Sequence, residues 1–380
     1  MRIALVIPYN PLEEVGGLEL GTALLAADLK KCGHEVTIIS KGQSGHINDV
    51  PVWGYPDFAQ LCHNLITCGN RSFDIVHWLE IFPDLGEVEL QGMTSGLLRA
   101  IGVKVIMMVA TSGNLETRGK GYLITPLLKQ TMDAYVISNP TQLIEFASCD
   151  IRDNIHIIGF GIDTNVFRPV TKEEKKALRE SLGLPLDKVL CLFMGRFVAR
   201  KRPDFLLRAW QSMEEVYDRA ELVVVGSGMD QHDSIEENVR TLADSTKSAH
   251  FRGITKTPEQ YYQACDMLLL PSEREGQPNV MMEMMACGNP VIGSDIPGLR
   301  EIIAAGKNGL IFPKDNRVLF QQAMHQLIDN ELLRIELGHS ARELIVSVKD
   351  VRVVTEQYLQ LYEGRALPAT LADYDRSCSH

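Results

Sequence analysis

Two carboxylates, Glu275 and Glu283, stand eight positions apart in PSEREGQPNVMMEMMACGNPVIGSDIPG, residues 271–298. Pro278 between them has no backbone donor, so it suits the first turn of a helix, where that donor is orphaned anyway. Asn279 to Ala286 then reads as helix, and Gly288 with Pro290 ends it. Glu275 therefore belongs to the loop before a helix N-terminus, and Glu283 to the helix itself. Backbone N–H groups at such a terminus attract phosphate. A carboxylate at each end of an anion site suits a ligand with hydroxyls on both sides of a diphosphate, such as a nucleotide sugar. The plainer alternatives are a solvated loop acid beside Arg274 and a surface helix acid. Against the latter, Glu283 is flanked by Met281, Met282, Met284 and Met285, residues of the buried type.

A second chemical group lies upstream. The apolar run Val189 to Met194 delivers Gly195-Arg196, and Lys201 follows five residues after Arg196. Lys201 and Arg202 stand directly before Pro203, which opens a helix through Leu206, Leu207 and Trp210. A forked guanidinium and a nearby ammonium suit a diphosphate that gains charge as its sugar leaves. Taken instead as a solvated cluster, these cations sit at a helix start, where the dipole disfavours them, so without an anion they cost stability.

These groups need elements to position them, and the chain repeats strand, turn and helix. Ile3 to Ile7, Val36 to Ile39, Ile75 to His77, Lys104 to Val109, Tyr135 to Ser138 and Ile155 to Ile158 read as strands of one parallel sheet. The helix after Gly17 stops at Gly33. A break at Phe167-Arg168-Pro169 and a charged helix from Thr171 to Leu182 precede a second series. Its strands are Val189 to Met194, Leu222 to Val225, Met267 to Leu270 and Val291 to Gly293. The expected architecture is α/β: two Rossmann-like, doubly wound domains facing a cleft, residues 1–168 and 169–350.

Composition narrows the class. The net charge of -11 argues against a nucleic-acid binder, whose affinity comes mostly from cations on phosphates. The eight cysteines are scattered without a C-x-x-C pair, the pattern of reduced thiols in a cytoplasmic protein. No run approaches the roughly 18 apolar residues that span a bilayer, and Met1 to Val6 reads as a strand rather than a signal segment.

Glu-x7-Glu after Pro-Ser and before a Gly-x-Pro-Val-Ile strand resembles the signature of the family 4 retaining glycosyltransferases of GT-B fold. IPYNPLEEVGGLE, GHEVTIIS, FDIVH, Ser138, GIDTNVFRP, MGRFVARKRPDFLLRAW, LVVVGSG, FRGIT, ACDMLLLPSEREG and KNGLIFP agree with it in order, covering roughly residues 1–345. The resemblance implies catalytic roles for Arg196 and Lys201 on the donor diphosphate and for Glu275 on sugar hydroxyls. It implies that Glu283 holds the ribose hydroxyls, that the amides of Asn279 and Val280 meet the distal phosphate, and that Gly16-Gly17 lies under the donor phosphates. A helix at 351–364 returns to the N-terminal, acceptor-binding domain, and 365–380 forms a loose tail. The spacing Gly16-Gly17-x3-Gly21 lacks the dinucleotide fingerprint, so a dehydrogenase loses its main support.

The implied reaction transfers a hexose from a nucleotide diphosphate sugar, UDP favoured and GDP possible, with retention at the anomeric carbon. The resemblance favours front-face attack, with the leaving phosphate helping to take the acceptor proton. No cofactor and no metal are expected, because cationic side chains and helix amides neutralise the diphosphate. The Asp373-x-Asp375 pair reads as chance. Two departures stand out: many relatives carry a His after the Lys104 to Val109 strand, where this chain has Ala110-Thr111-Ser112-Gly113-Asn114, and Phe160 replaces a common Asn. Residues 1–167 hold 18 Asp and Glu against 11 Lys and Arg, and Glu80, Asp84, Glu87 and Glu89 read as a loop after the His77 strand. A polar or cationic small molecule, or a glycan, is therefore the expected acceptor, with no nucleic acid and no membrane as partner. Arg118 to Lys129, interrupted by Gly119, Gly121 and Pro126, makes a poor membrane-surface helix. A nucleotide-sugar epimerase or hydrolase of similar fold, or a silent nucleotide-sugar-binding protein, stands as the alternative.

Overall fold

Strands with no polar alternation need cover on both faces, and the structure supplies it. The computed structural model describes residues 1–13, 16–82, 85–109, 126–228 and 233–365. It divides into two units, Met1–Gly161 joined by the segment from Val351, and Ile162–Asp350. The division falls at 161/162, ahead of the Phe167-Arg168-Pro169 break.

The first unit runs β1 (Arg2–Val6), α1 (Gly17–Lys31), β2 (Glu35–Lys41), β3 (Gly45–Ile47), β4 (Val50–Tyr55), α2 (Phe58–Ser72), β5 (Ile75–Trp78) and α3 (Leu85–Ala100). It continues with β6 (Lys104–Val109), α4 (Pro126–Gln130), β7 (Ala134–Ile137), α5 (Gln142–Ser148) and β8 (Ile155–Ile157). Sheet order is β3-β4-β2-β1-β5-β6-β7-β8, parallel apart from β3. Ala4 and Val6 join one buried layer, and Ile3 and Leu5 join the other, so each face of β1 carries its own core. Strand order reverses between β1 and β5, the position at which ligands bind outside the strand ends of such sheets.

The second unit holds α6 (Lys172–Leu182), β9 (Val189–Met194), α7 (Pro203–Gln211), β10 (Ala220–Val225), α8 (Glu236–Asp244), β11 (Ala249–Phe251), α9 (Pro258–Ala264) and β12 (Met267–Leu270). Then come α10 (Asn279–Ala286), β13 (Val291–Ser294), α11 (Pro297–Arg300), β14 (Leu310–Phe312), α12 (Arg317–Asp329) and α13 (Glu331–Val348). Its sheet, β11-β10-β9-β12-β13-β14, is parallel throughout. Thr171 caps α6 with Glu174 in a reciprocal capping box, and left-handed Gly183 ends it. α14 (Val351–Glu363) packs on α1 in the first unit.

Glu87 and Glu89, expected in a loop, lie on α3. Four short strands were not expected. β3 and β4 form a hairpin about Asn48-Asp49, both at positive φ, the geometry of a two-residue turn. β11 and β14 add edges to the second sheet, so the second series continues past Val291 to Gly293. Phe160 also gains a reason: its ring lies where a Cβ on Gly21 would stand, so the aromatic and the glycine fit as a pair. No helix among the described residues is long and apolar enough to cross a membrane.

Candidate functional site

In the second unit β9 ends at Met194, and Arg196 follows with an exposed side chain. A short 3-10 turn, Ala199–Lys201, leads to Arg202, which holds left-handed backbone angles (φ 56, ψ 40). That conformation costs a non-glycine residue roughly 1–2 kcal/mol. It is offset by ion pairs from Arg202 to Asp315 and Glu273 and by its guanidinium over the Phe205 ring, 4.9 Å from the centroid. α7 then buries Leu206, Leu207 and Trp210 completely, which anchors the turn. Each such leucine contributes about 1.5–3 kcal/mol. The N–H of Glu273 donates to the Arg200 carbonyl at 2.8 Å, tying this turn to the loop that carries Glu275.

Glu275 is not a solvated loop acid; its side chain is 5% exposed. Its Oε1 accepts from Lys201 Nζ at 2.5 Å and from Ser272 Oγ at 2.7 Å, and its Oε2 lies 3.9 Å from the Arg200 guanidinium. Gly298 supports the loop from below, because a Cβ there would overlap the carbonyl oxygens of Glu275 and Gly276. The Arg200 guanidinium is held below its usual range, first by burial, with Glu275 opposing and Arg196 and Arg274 adding to the effect. Two cations, Lys201 and Arg200, thus meet one buried carboxylate, and Arg196 and Arg274 lie close enough to act on Arg200. Positive charge ahead of a helix N-terminus suits an anion.

That terminus belongs to α10. Pro278 proves to be its N-cap rather than a first-turn residue: its carbonyl accepts from Met281 and Met282 at 3.1 and 3.4 Å, and no side chain caps the helix. The first turn, with Asn279 and Val280, holds no acid. Glu283 lies further along, between the fully buried Met282 and Met284. Burial pushes its carboxyl up to about 7, the nearby Tyr262 hydroxyl opposes this, and Glu259 adds to it. Tyr262 is itself fully buried, with its hydroxyl beside the Glu283 carboxylate. Glu283 thus sits where an incoming hydroxyl donor would stabilise its charged form.

The structure brings Arg196, Lys201, Glu275, Asn279, Val280 and Glu283 into one unit and places Gly16 and Gly17 in the other. Gly16 is the N-cap of α1, and the Glu19 carboxylate occupies the position that a Cβ on Gly16 would take. Glu19 is buried in the first turn of that helix, so α1 carries an acid of its own where α10 has none. His77 is a core residue, fully buried, with Nδ1 2.8 Å from the Tyr362 hydroxyl and its ring pushed down to about 3 by burial. The Ala110 to Asn114 departure, Asp84 and the Asp373-x-Asp375 pair lie outside the described residues. Arg200, Ser272 and Tyr262 are the residues the sequence reading passed over. Arg200 stands beside Lys201 and Ser272 within the Pro-Ser of the signature, so adjacency was their one signal.

Residues 188–330 match the family model described as glycosyl transferases group 1. The D-inositol 3-phosphate glycosyltransferase of Corynebacterium aurimucosum is 27% identical over 388 residues, 90% of this chain and 91% of its own. Sucrose-phosphate synthase from Thermosynechococcus elongatus shares the fold, with TM-score 0.78 at 18% identity over 96% of this chain and 99% of that one. Anabaena HepE in complex with UDP-glucose does so with TM-score 0.79 at 14% identity, over 95% and 99%. The chain is a glycosyltransferase of GT-B fold. In this glycosyltransferase the family match spans Arg196, Lys201, Glu275 and Glu283 together. Among its described residues no three His, Cys, Asp or Glu side chains are grouped to hold a metal ion.

Proposed function

We propose that this glycosyltransferase is a retaining, metal-independent member of family 4. It moves a hexose from a UDP-sugar, or alternatively a GDP-sugar, to a hydroxyl of a polar small molecule or glycan. The observation that carries the reading is the buried Glu275 held by Lys201, Arg200 and Ser272 in front of the acid-free N-terminus of α10. A diphosphate arriving there meets Arg196, Lys201 and the first amides of α10, which offer it positive charge already in place. Glu275 is then available to sugar hydroxyls, and Glu283 to the vicinal ribose hydroxyls, which favours a ribonucleotide over a deoxy form. Retention rests on the resemblance carried by the Glu-x7-Glu stretch. UDP is favoured because the neighbour HepE is described with UDP-glucose.

For the acceptor, a relative named for D-inositol 3-phosphate supports a polyol. The carboxylates of Glu13, Glu19, Glu80 and Glu87 around the strand ends of the first unit, with Lys41 paired to Glu87, favour an uncharged or cationic one. The test is calorimetry with UDP-, GDP- and ADP-sugars, followed by transfer to inositol, inositol phosphate and amino-polyol acceptors with the anomer read by NMR. Activity should survive a strong chelator. Loss of activity with rescue by magnesium or manganese, or an inverted product, overturns the corresponding part of the reading.

A further inference from the structure

Resting on that donor reading, we propose that Arg200 is a positioning residue: it remains as the counter-ion of Glu275 when a donor diphosphate draws Lys201 away. In the ligand-free chain the two oxygens of Glu275 are used differently. Oε1 takes both short hydrogen bonds, from Lys201 at 2.5 Å and Ser272 at 2.7 Å, while Oε2 faces Arg200 at 3.9 Å. A carboxylate so deeply buried is costly without a compensating charge. A diphosphate competes for Lys201 and brings negative charge of its own. Were Lys201 the sole charged partner, Glu275 would then face that charge uncompensated and would swing out of place. That ends its contact with the sugar.

Arg200 is placed to prevent this. Its backbone is fixed by the hydrogen bond from Glu273, within the loop that carries Glu275. Its guanidinium approaches the oxygen that Lys201 leaves free. That guanidinium lies 3.9 Å from Oε2, and Glu275 and Asp233 favour its charge against burial and against Arg196 and Arg274. A guanidinium also stays protonated at any working pH. Arg196, exposed and without a carboxylate partner among the described residues, is the cation left for the phosphates together with Lys201.

The test compares each nucleoside diphosphate with its sugar ester, UDP with UDP-glucose, GDP with GDP-mannose and ADP with ADP-glucose, by calorimetry on wild type, Arg200→Met and Arg200→Lys. The Met variant should bind the bare diphosphate within about threefold of wild type. Its affinity for the sugar ester relative to the bare diphosphate should fall about tenfold, the effect of losing one charged contact. The Lys variant should recover part of that ratio, and thermal melting reports whether each variant is folded. Equal weakening of diphosphate and ester in a folded Met variant makes Arg200 an ordinary phosphate cation and overturns the proposal. So does an unchanged ratio. A wild-type chain that binds none of the nucleotides overturns the donor reading itself, a result distinct from either.

Discussion

Two helix N-termini in this chain follow the same local plan, a parallel strand, a loop and a helix, yet they are charged in opposite ways. At α10 the first turn has no acid and no side-chain cap, and the loop before it carries Arg274 and the Glu275 that Lys201 and Arg200 face. At α1 the first turn carries the buried Glu19, folded over Gly16. A helix N-terminus offers roughly half a positive charge in both places. One is left open to an incoming anion; the other is answered from within the chain. The same fold element is therefore free of acid in its first turn in one unit and filled by its own acid in the other, and the difference lies in a few side chains.

The largest effects should come from stripping the open terminus of its cations. Arg196→Ala and Lys201→Ala should each lower turnover about a hundredfold or more at saturating donor. Lys201→Ala has a second consequence that Arg196→Ala lacks. It leaves the 5%-exposed Glu275 without its nearest partner, so stability should fall by up to about 3–5 kcal/mol. The double variant Lys201→Met, Glu275→Gln should regain most of that stability and none of the activity. Denaturant melts and steady-state kinetics on the three proteins check this, and full turnover in Arg196→Ala would remove it from the donor clamp.

Next in size is the support under Glu275. Gly298→Ala puts a methyl group into the carbonyls of Glu275 and Gly276, and the loop must move to admit it. A displacement of about 1 Å at a positioning group costs roughly a hundredfold in rate, and the loop can absorb part of it, so a drop of tens-fold in kcat is expected. A kcat unchanged within about twofold would show that the Glu275 loop tolerates the shift.

How much of this site was legible beforehand follows from which groups are adjacent in the chain. α10, β9 and β12 were read to the residue because each is a continuous apolar run or is bounded by Pro and Gly, and every residue in the β12 run is buried. The β3–β4 hairpin was missed because its strands are short and half-exposed, without the dense apolar signal of the central strands. Lys201 and Glu275 were each visible as candidates, but their contact joins residues 74 positions apart, and no local pattern encodes that. The same holds for Tyr262 beside Glu283. Glu19 was in view within the GGLE motif, yet its burial over Gly16 is a fold of the side chain back onto the helix start that no local pattern encodes.

A moderate effect should appear with pH, because Glu283 is the one donor-side acid raised to about 7. Its folded value lies above its ordinary 4.5 because burial disfavours the charge. It therefore adds stability to the ligand-free chain that is complete below about pH 4.5 and is lost as pH rises through about 7. Ribose hydroxyls donate to the ionised form, so nucleotide affinity runs the other way. It should fall as pH drops below about 7, approaching tenfold per unit, with proton release on binding. Calorimetry near pH 6 in two buffers of different ionisation heat measures that proton directly. Glu283→Gln should flatten both profiles, and a pH-independent affinity in the wild type would assign Glu283 to packing.

The smallest effects are the most direct test of the contrast between the two termini, because each helix can be given the other's charge. Asn279→Asp adds an acid to the first turn of α10 at constant side-chain size. It should stabilise the ligand-free chain by about 0.3–1 kcal/mol through the helix dipole and weaken UDP binding severalfold by occupying the same field. Glu19→Gln does the reverse at α1: it removes the charge that faces that N-terminus and should destabilise by a similar amount. The side-chain cations proposed for the diphosphate all belong to the second unit, so UDP affinity should stay within about twofold in Glu19→Gln. Both shifts should shrink as salt rises past about 0.1 M, where the Debye length is about 10 Å, and less so for the buried Glu19. Denaturant melts with and without UDP read all four quantities. If Asn279→Asp binds UDP as tightly as the wild type, or if Glu19→Gln weakens UDP as much as Asn279→Asp does, the two termini do not divide the work as their charges indicate.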